Sequence, residues 1–151
     1  MTATHFSGPV IAGTLTTGQT NGPNQGAVRL EQFATLTQNS TNAVSSTLYI
    51  PAGSRITGFN IDVLTAFNSA TSATLSIGTS AADTTYVSGV DVKTATGRIA
   101  ATYTAAQLAA MAGLTTAGAA SPTTAPVVIT ITPVGATSAG VVTVTVSYVQ
   151  Q

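Results

Sequence analysis

From Val28 onward the chain alternates apolar and polar residues with a period of two. Val44, Ser46, Leu48 and Ile50 share one side of an extended segment that ends at the turn residues Pro51-Ala52-Gly53. After Arg55 and Ile56, Phe59, Ile61 and Val63 lie on one face, and Asn60 and Asp62 take the other. Leu75 and Ile77 alternate with Thr74 and Ser76 up to Gly78; Val90 and Val92 follow, then Ile99 and Tyr103. The clearest signal comes last. Val127, Ile129 and Ile131 oppose Val128, Thr130 and Thr132. Beyond a turn at 133–138, Val142, Val144, Val146 and Tyr148 oppose Val141, Thr143, Thr145 and Ser147. Successive side chains of a strand point to opposite faces, so this alternation predicts half-buried antiparallel strands.

One segment breaks the period. Thr104-Ala105-Ala106-Gln107 has the spacing of a capping box, in which a hydroxyl and an amide satisfy the first free N–H groups of a helix. Leu108 and Met111 follow on one predicted face, and Gly113 is placed to end the helix. A two-turn helix over 105–112 is expected, then a loose Gly/Ala/Ser/Thr connection over 113–125.

Residues 1–26 show no periodicity. They hold five glycines and two prolines, with Phe6 and the Val10–Ile11 pair as isolated apolar points. This texture predicts an extended N-terminal arm that orders on a partner, or else a frayed end. The rest, 27–151, reads as one all-β domain. About eight strands with turn signals every 8–12 residues point to an antiparallel β-sandwich. A jelly roll is the first choice of topology and an immunoglobulin-like order the second.

Composition changes the picture more than it changes the fold. Only eight of 151 side chains are charged: Arg29, Glu31, Arg55, Asp62, Asp83, Asp91, Lys93 and Arg98. A typical domain charges about a quarter of its residues. The net charge is zero, which leaves no electrostatic footprint for nucleic acid or anionic lipid. The absence of cysteine excludes a disulfide framework and a thiol nucleophile. The 30 threonines suit outward strand positions, being β-branched and solvated without charge. The first residues lack the basic-then-apolar pattern of a secretory signal, and no apolar run approaches a bilayer's thickness, so a cytosol-made, soluble chain is expected.

The candidate chemistry is sparse. His5, the single histidine, sits among Thr, Phe and Ser with no acid nearby, and reads as a contact residue rather than a catalyst. Glu31 is two residues from Arg29 on the same strand face, where a surface ion pair is the plain account. Asp83 has the setting of a turn-capping aspartate. Asp91 and Lys93 read as an outward strand row. A glycosidase carboxylate pair and a calcium site at Asp83 or Asp91 remain open alternatives. Asn39-Ser40-Thr41 matches a glycosylation acceptor, a match that chance explains in so Thr-rich a chain. No enzyme activity and no cofactor are expected.

Several stretches resemble small accessory proteins of tailed-bacteriophage capsids. They are the opening MTATHFSGPV, Leu48-Tyr49-Ile50-Pro51-Ala52-Gly53 with Arg55-Ile56-Thr57-Gly58-Phe59, and the run from Leu75 through Asp83 and Tyr86–Val92 to Gly97-Arg98. Together they cover about half the chain. The resemblance implies a capsid decoration, or cement, protein: a virion component on the outer surface of the head, partnered by the major capsid protein and by copies of itself as a homotrimer. His5, Phe6, Val10 and Ile11 are then the expected capsid contacts. The alternatives are a carbohydrate-binding module using Tyr49, Tyr86 and Tyr103, or another phage part such as a head-fibre base or tail protein. Neither nucleic acid nor membrane is an expected partner.

Overall fold

The computed structural model of the protein describes residues 28–94, 96–119 and 122–150. Among them are β1 (Arg29–Thr37), β2 (Val44–Pro51), β3 (Ser54–Thr65), β4 (Ser72–Gly78), β5 (Val87–Asp91), β6 (Gly97–Ile99), α1 (Ala105–Ala112), β7 (Thr124–Val134) and β8 (Val141–Gln150). They form two four-stranded sheets, ordered β1-β8-β3-β6 and β2-β7-β4-β5. Every strand pairing is antiparallel.

The partners explain the order. β1 pairs with β8, β2 with β7, β3 with β6 and β4 with β5, as in one long hairpin bent back at the β4–β5 connection. Winding that hairpin around a common core brings β8 against β3 and β7 against β4. The result is a jelly roll. The immunoglobulin-like order is excluded, because it keeps the first two strands in one sheet and here β1 and β2 lie in different ones.

The core is the space between the sheets. Ile61, Val63, Val142, Val144 and Val146 meet Ile50, Leu75, Ile77, Val127, Ile129 and Ile131, all at most 1% exposed. Each such side chain stabilises the fold by about 1.5–3 kcal/mol before entropy is counted. Phe67, Tyr86 and Met111 are buried in the same cluster, with the Phe59 and Tyr86 ring centres 6.0 Å apart. Period-two patterning fixes this packing, since a one-residue slip would turn Val142, Val144 and Val146 outward.

The helix forms where its cap predicts. Thr104 Oγ1 accepts from the Gln107 N–H at 3.2 Å, and Gln107 Oε1 accepts from the Thr104 N–H at 2.9 Å. Its inner face differs from the expectation. Gln107 and Met111 are buried, whereas Leu108 is exposed. The buried position goes to the amide because Gln107 Nε2 donates to Thr84 O at 3.0 Å, tying α1 to the β4–β5 connection.

Four further expectations need correction. The connection after α1 is anchored at its start: Leu114 bridges Arg55, the Thr115 N–H donates to Ser54 O at 2.8 Å, and the Gly53 N–H to Thr115 O at 2.8 Å. β7 already begins at Thr124. Val128, Thr130 and Ser147 do point outward yet are buried. The β4–β5 connection packs on β7, where the Ala82 N–H donates to Thr130 Oγ1 at 3.0 Å, and Arg29 and Glu31 close over Ser147. Tyr103 lies between β6 and α1 and is not a strand residue.

Candidate interaction surfaces

The charges are unevenly placed. On the outer face of the first sheet, Arg29 and Glu31 come from β1, Arg55 and Asp62 from β3, and Arg98 from β6. That is five of the chain's eight charged residues. Arg98 grips Asp62 with Nε–Oδ1 at 2.8 Å and Nη2–Oδ2 at 2.9 Å. The Arg98 hydrogen bond holds the Asp62 carboxyl below its usual range. Arg29 and Glu31 pair at 3.5 Å, as the sequence suggested, and both hydrogen-bond Ser147 Oγ. By contrast β2, β4, β7 and β8 carry no charged residue. The second sheet presents Ser45, Thr47 and Tyr49 opposite Thr130, Val128 and Pro126.

The remaining three charges serve turns. Asp83 folds the β4–β5 connection around its carboxylate, accepting from the N–H and hydroxyl groups of Thr79 and Thr85 at 2.7–3.1 Å. Partial burial pushes this carboxyl up, but the four donors outweigh it and hold it at about 2. Asp91 accepts from the Lys93 N–H and the Thr94 hydroxyl, both at 2.8 Å. The Lys93 N–H bond, then the Thr94 hydroxyl, lowers its carboxyl also. Lys93 therefore follows a turn instead of continuing a strand row, because β5 stops at Asp91. Its ammonium donates to Ala70 O at 3.2 Å and Thr71 O at 3.1 Å. Among the described residues no group of three or more His, Cys, Asp and Glu is placed to hold a metal ion.

An open cleft of about 470 Å³ lies between this Asp83 turn and α1, lined by Thr84, Ser88, Thr104, Gln107 and Ala110 among others. Tyr86 is buried and offers no ring face to a sugar there, and Tyr49 is exposed on β2 instead. The triplet Asn39-Ser40-Thr41 lies in a connection folded on Gln38, whose Nε2 donates to Ser40 O at 2.6 Å and Asn42 O at 2.5 Å. No helix among the described residues is long and apolar enough to cross a membrane.

Exposed large apolar side chains are scattered among the described residues, with Leu30 and Phe33 on β1. Phe33 is 70% exposed on the strand's outer side, while Val28 (43%) and Leu30 (39%) are exposed at its start. Sequence reading passed over Phe33 because an isolated aromatic in a half-regular segment looks like any core residue. Its odd position beside Arg29, Glu31 and Thr35 was the available signal. The expected contacts His5, Phe6, Val10 and Ile11 lie outside the described residues.

No family model matches this chain, and no curated protein sequence does. The fold is similar to that of a chain in the cyanophage Pam1 capsid asymmetric unit, with a TM-score of 0.56 at 18% identity. The match covers 89% of this chain and 95% of that one. At this identity the likeness is one of fold: both chains are built on the same sandwich over nearly their whole lengths.

Proposed function

We propose that the protein is a structural component of a phage virion, a decoration or cement protein on the outer surface of the head. The observation that carries this reading is the fold likeness to a chain of a phage capsid asymmetric unit, which spans almost all of both chains. The surface supports it independently. Burying an ion in a protein contact costs several kcal/mol, and four of the eight strands present none. Some hydroxyls there are already paired across strands, Ser45 with Thr130 at 2.9 Å and Thr143 with Thr35 at 2.8 Å, and the remaining hydroxyls can hydrogen-bond a partner without the desolvation cost of an ion.

In this reading the protein has no catalytic role and needs no cofactor. Its partners are the major capsid protein and copies of itself, the homotrimer being the arrangement that the resemblance implies. Residues 1–26 act as the docking arm, with Phe6, Val10 and Ile11 as apolar anchors and His5 beside them.

The test is co-sedimentation with heads assembled without this protein. The full chain binds; a chain beginning at Ala27 loses binding while keeping its β-sheet circular dichroism. Undiminished binding by the shortened chain rejects the arm's role. Failure of the full chain to bind, with retention on a glycan array, replaces this reading by a sugar-binding one.

A further inference from the structure

α1 turns its one polar side chain inward and its apolar ones to solvent. Its eight residues carry no charge, and Gln107 is buried together with Met111. Ala105, Ala106, Leu108, Ala109 and Ala112 are exposed instead. Leu114, just beyond the helix, is 57% exposed. A helix at a protein surface ordinarily shows charged or polar residues to water, and one that is apolar all round is ordinarily covered. Helix propensity explains alanine, but glutamine, glutamate and lysine form helices nearly as well, so it does not explain the missing polar groups. The strands behave differently: β2 meets solvent with Ser45, Thr47 and Tyr49, each bearing a hydroxyl.

The place of this face in the fold says what covers it. Arg29 of β1 pairs with Val149 of β8, Val149 pairs with Arg55 of β3, and Arg55 bridges Leu114. Leu114 therefore lies three strand spacings, about 15 Å, from Arg29, where residues 1–27 join the domain. Backbone bonds from Thr115 to Ser54 and from Gly53 to Thr115 hold the end of α1 in that row. Leu64 and Val134 belong to the opposite end, where Thr37 and Thr65 both pair with Val141 and Val134 pairs with Ser72. An arm anchored in a head draws onto the shell the end of the domain from which it leaves.

We infer that the outer face of α1, with Leu114, is a second contact with the head and lies on an uncharged, apolar surface of the major capsid protein. This rests on the head-binding reading above and adds the side of the domain that meets the shell. Arm and helix then act as linked attachments, each raising the effective concentration of the other at the shell. No ion of α1 has to be desolvated on contact, and the alanines let the two backbones approach closely.

The experiment uses the full chain and heads assembled without it. In co-sedimentation Leu108→Lys binds at least tenfold more weakly than the wild type, whereas Leu64→Lys, at the opposite end, binds as the wild type does. The chain has no cysteine, so single ones report the contact directly. Ala109→Cys reacts with a maleimide at least tenfold more slowly on heads than free, and Val134→Cys reacts equally fast in both. This labelling decides the matter should Leu108→Lys fail to fold by circular dichroism. Off the head, Ala109→Cys reacts alike in the full chain and in one beginning at Ala27, and Leu108→Lys keeps the wild-type mass in sedimentation velocity. Faster labelling in the shortened chain gives the face to residues 1–26, and a changed mass gives it to a second copy; either overturns the inference. So does undiminished binding by a folded Leu108→Lys, or unslowed labelling of Ala109→Cys on heads, while the wild type still binds. A wild type that does not bind heads rejects the head-binding reading itself, and this contact with it.

Discussion

The Asp83 carboxylate occupies the space that a side chain on Gly78 would need. A Cβ built at Gly78 would collide with the Asp83 side chain, whose oxygens are held by Thr79 and Thr85. Gly78→Ala must displace that carboxylate, with an expected cost of about 1–3 kcal/mol, as for overpacking elsewhere. The cost shrinks in an Asp83→Ala background, where the obstacle is gone. Urea melts of the four chains give the coupling, expected at about 0.5–3 kcal/mol; strict additivity would contradict the placement.

Acid should weaken the fold through the same residue. The native Asp83 carboxyl is held at about 2, against 3.8 for a free aspartate. The folded state therefore binds the proton more weakly than the unfolded chain. Stability from Asp83 is complete above about pH 4 and is lost as pH falls toward 2. Asp62 and Asp91, also lowered, act in the same direction. The melting temperature of the wild type falls over that window, and Asp83→Asn, less stable at pH 7, falls less steeply. Parallel pH curves for the two chains would refute this.

Helix α1 offers a contrast between neighbours. Gln107 is buried with its amide bonded to Thr104 and Thr84, and Leu108 is exposed. Gln107→Ala removes half the capping box and strands Thr84 O, an expected loss of about 1–3 kcal/mol. Leu108→Ala changes stability by less than about 0.5 kcal/mol. Thermal melts rank the two directly, and the reverse ranking would contradict the helix orientation.

Head binding should depend weakly on salt. Two of the charged pairs are satisfied within the chain, and the strands of the second sheet are neutral apart from Asp91. Affinity is expected to change by less than about threefold between roughly 0.05 and 1 M NaCl, a range over which the screening length falls several-fold. A steep decline would mean that ionic contacts carry the attachment.

Most of the fold was readable from alternation. Period two placed Ile61, Val63, Val142, Val144 and Val146 inside, and the Thr104–Gln107 spacing located α1 to the residue. What stayed hidden depended on tertiary contacts that leave no local mark. Leu108 and Gln107 exchange their expected roles because a distant carbonyl, Thr84 O, waits beneath the helix. Val128 and Thr130 keep an outward pattern yet are buried, since the β4–β5 connection returns over β7. The Asp62–Arg98 grip joins residues 36 positions apart, and only the β3–β6 pairing brings them together. Phe33 broke the outward polar row of β1; by pattern alone a misfit aromatic and an interface residue look alike.

Reconstruction by electron cryomicroscopy of phage heads incubated with the protein bears most directly on whether the chain is a shell component. The account predicts copies of this jelly roll outside the head, resting on the major capsid protein, with density for residues 1–26 entering the shell. Heads fully ordered without it, and no trace of the chain in purified particles, would contradict the account at its base.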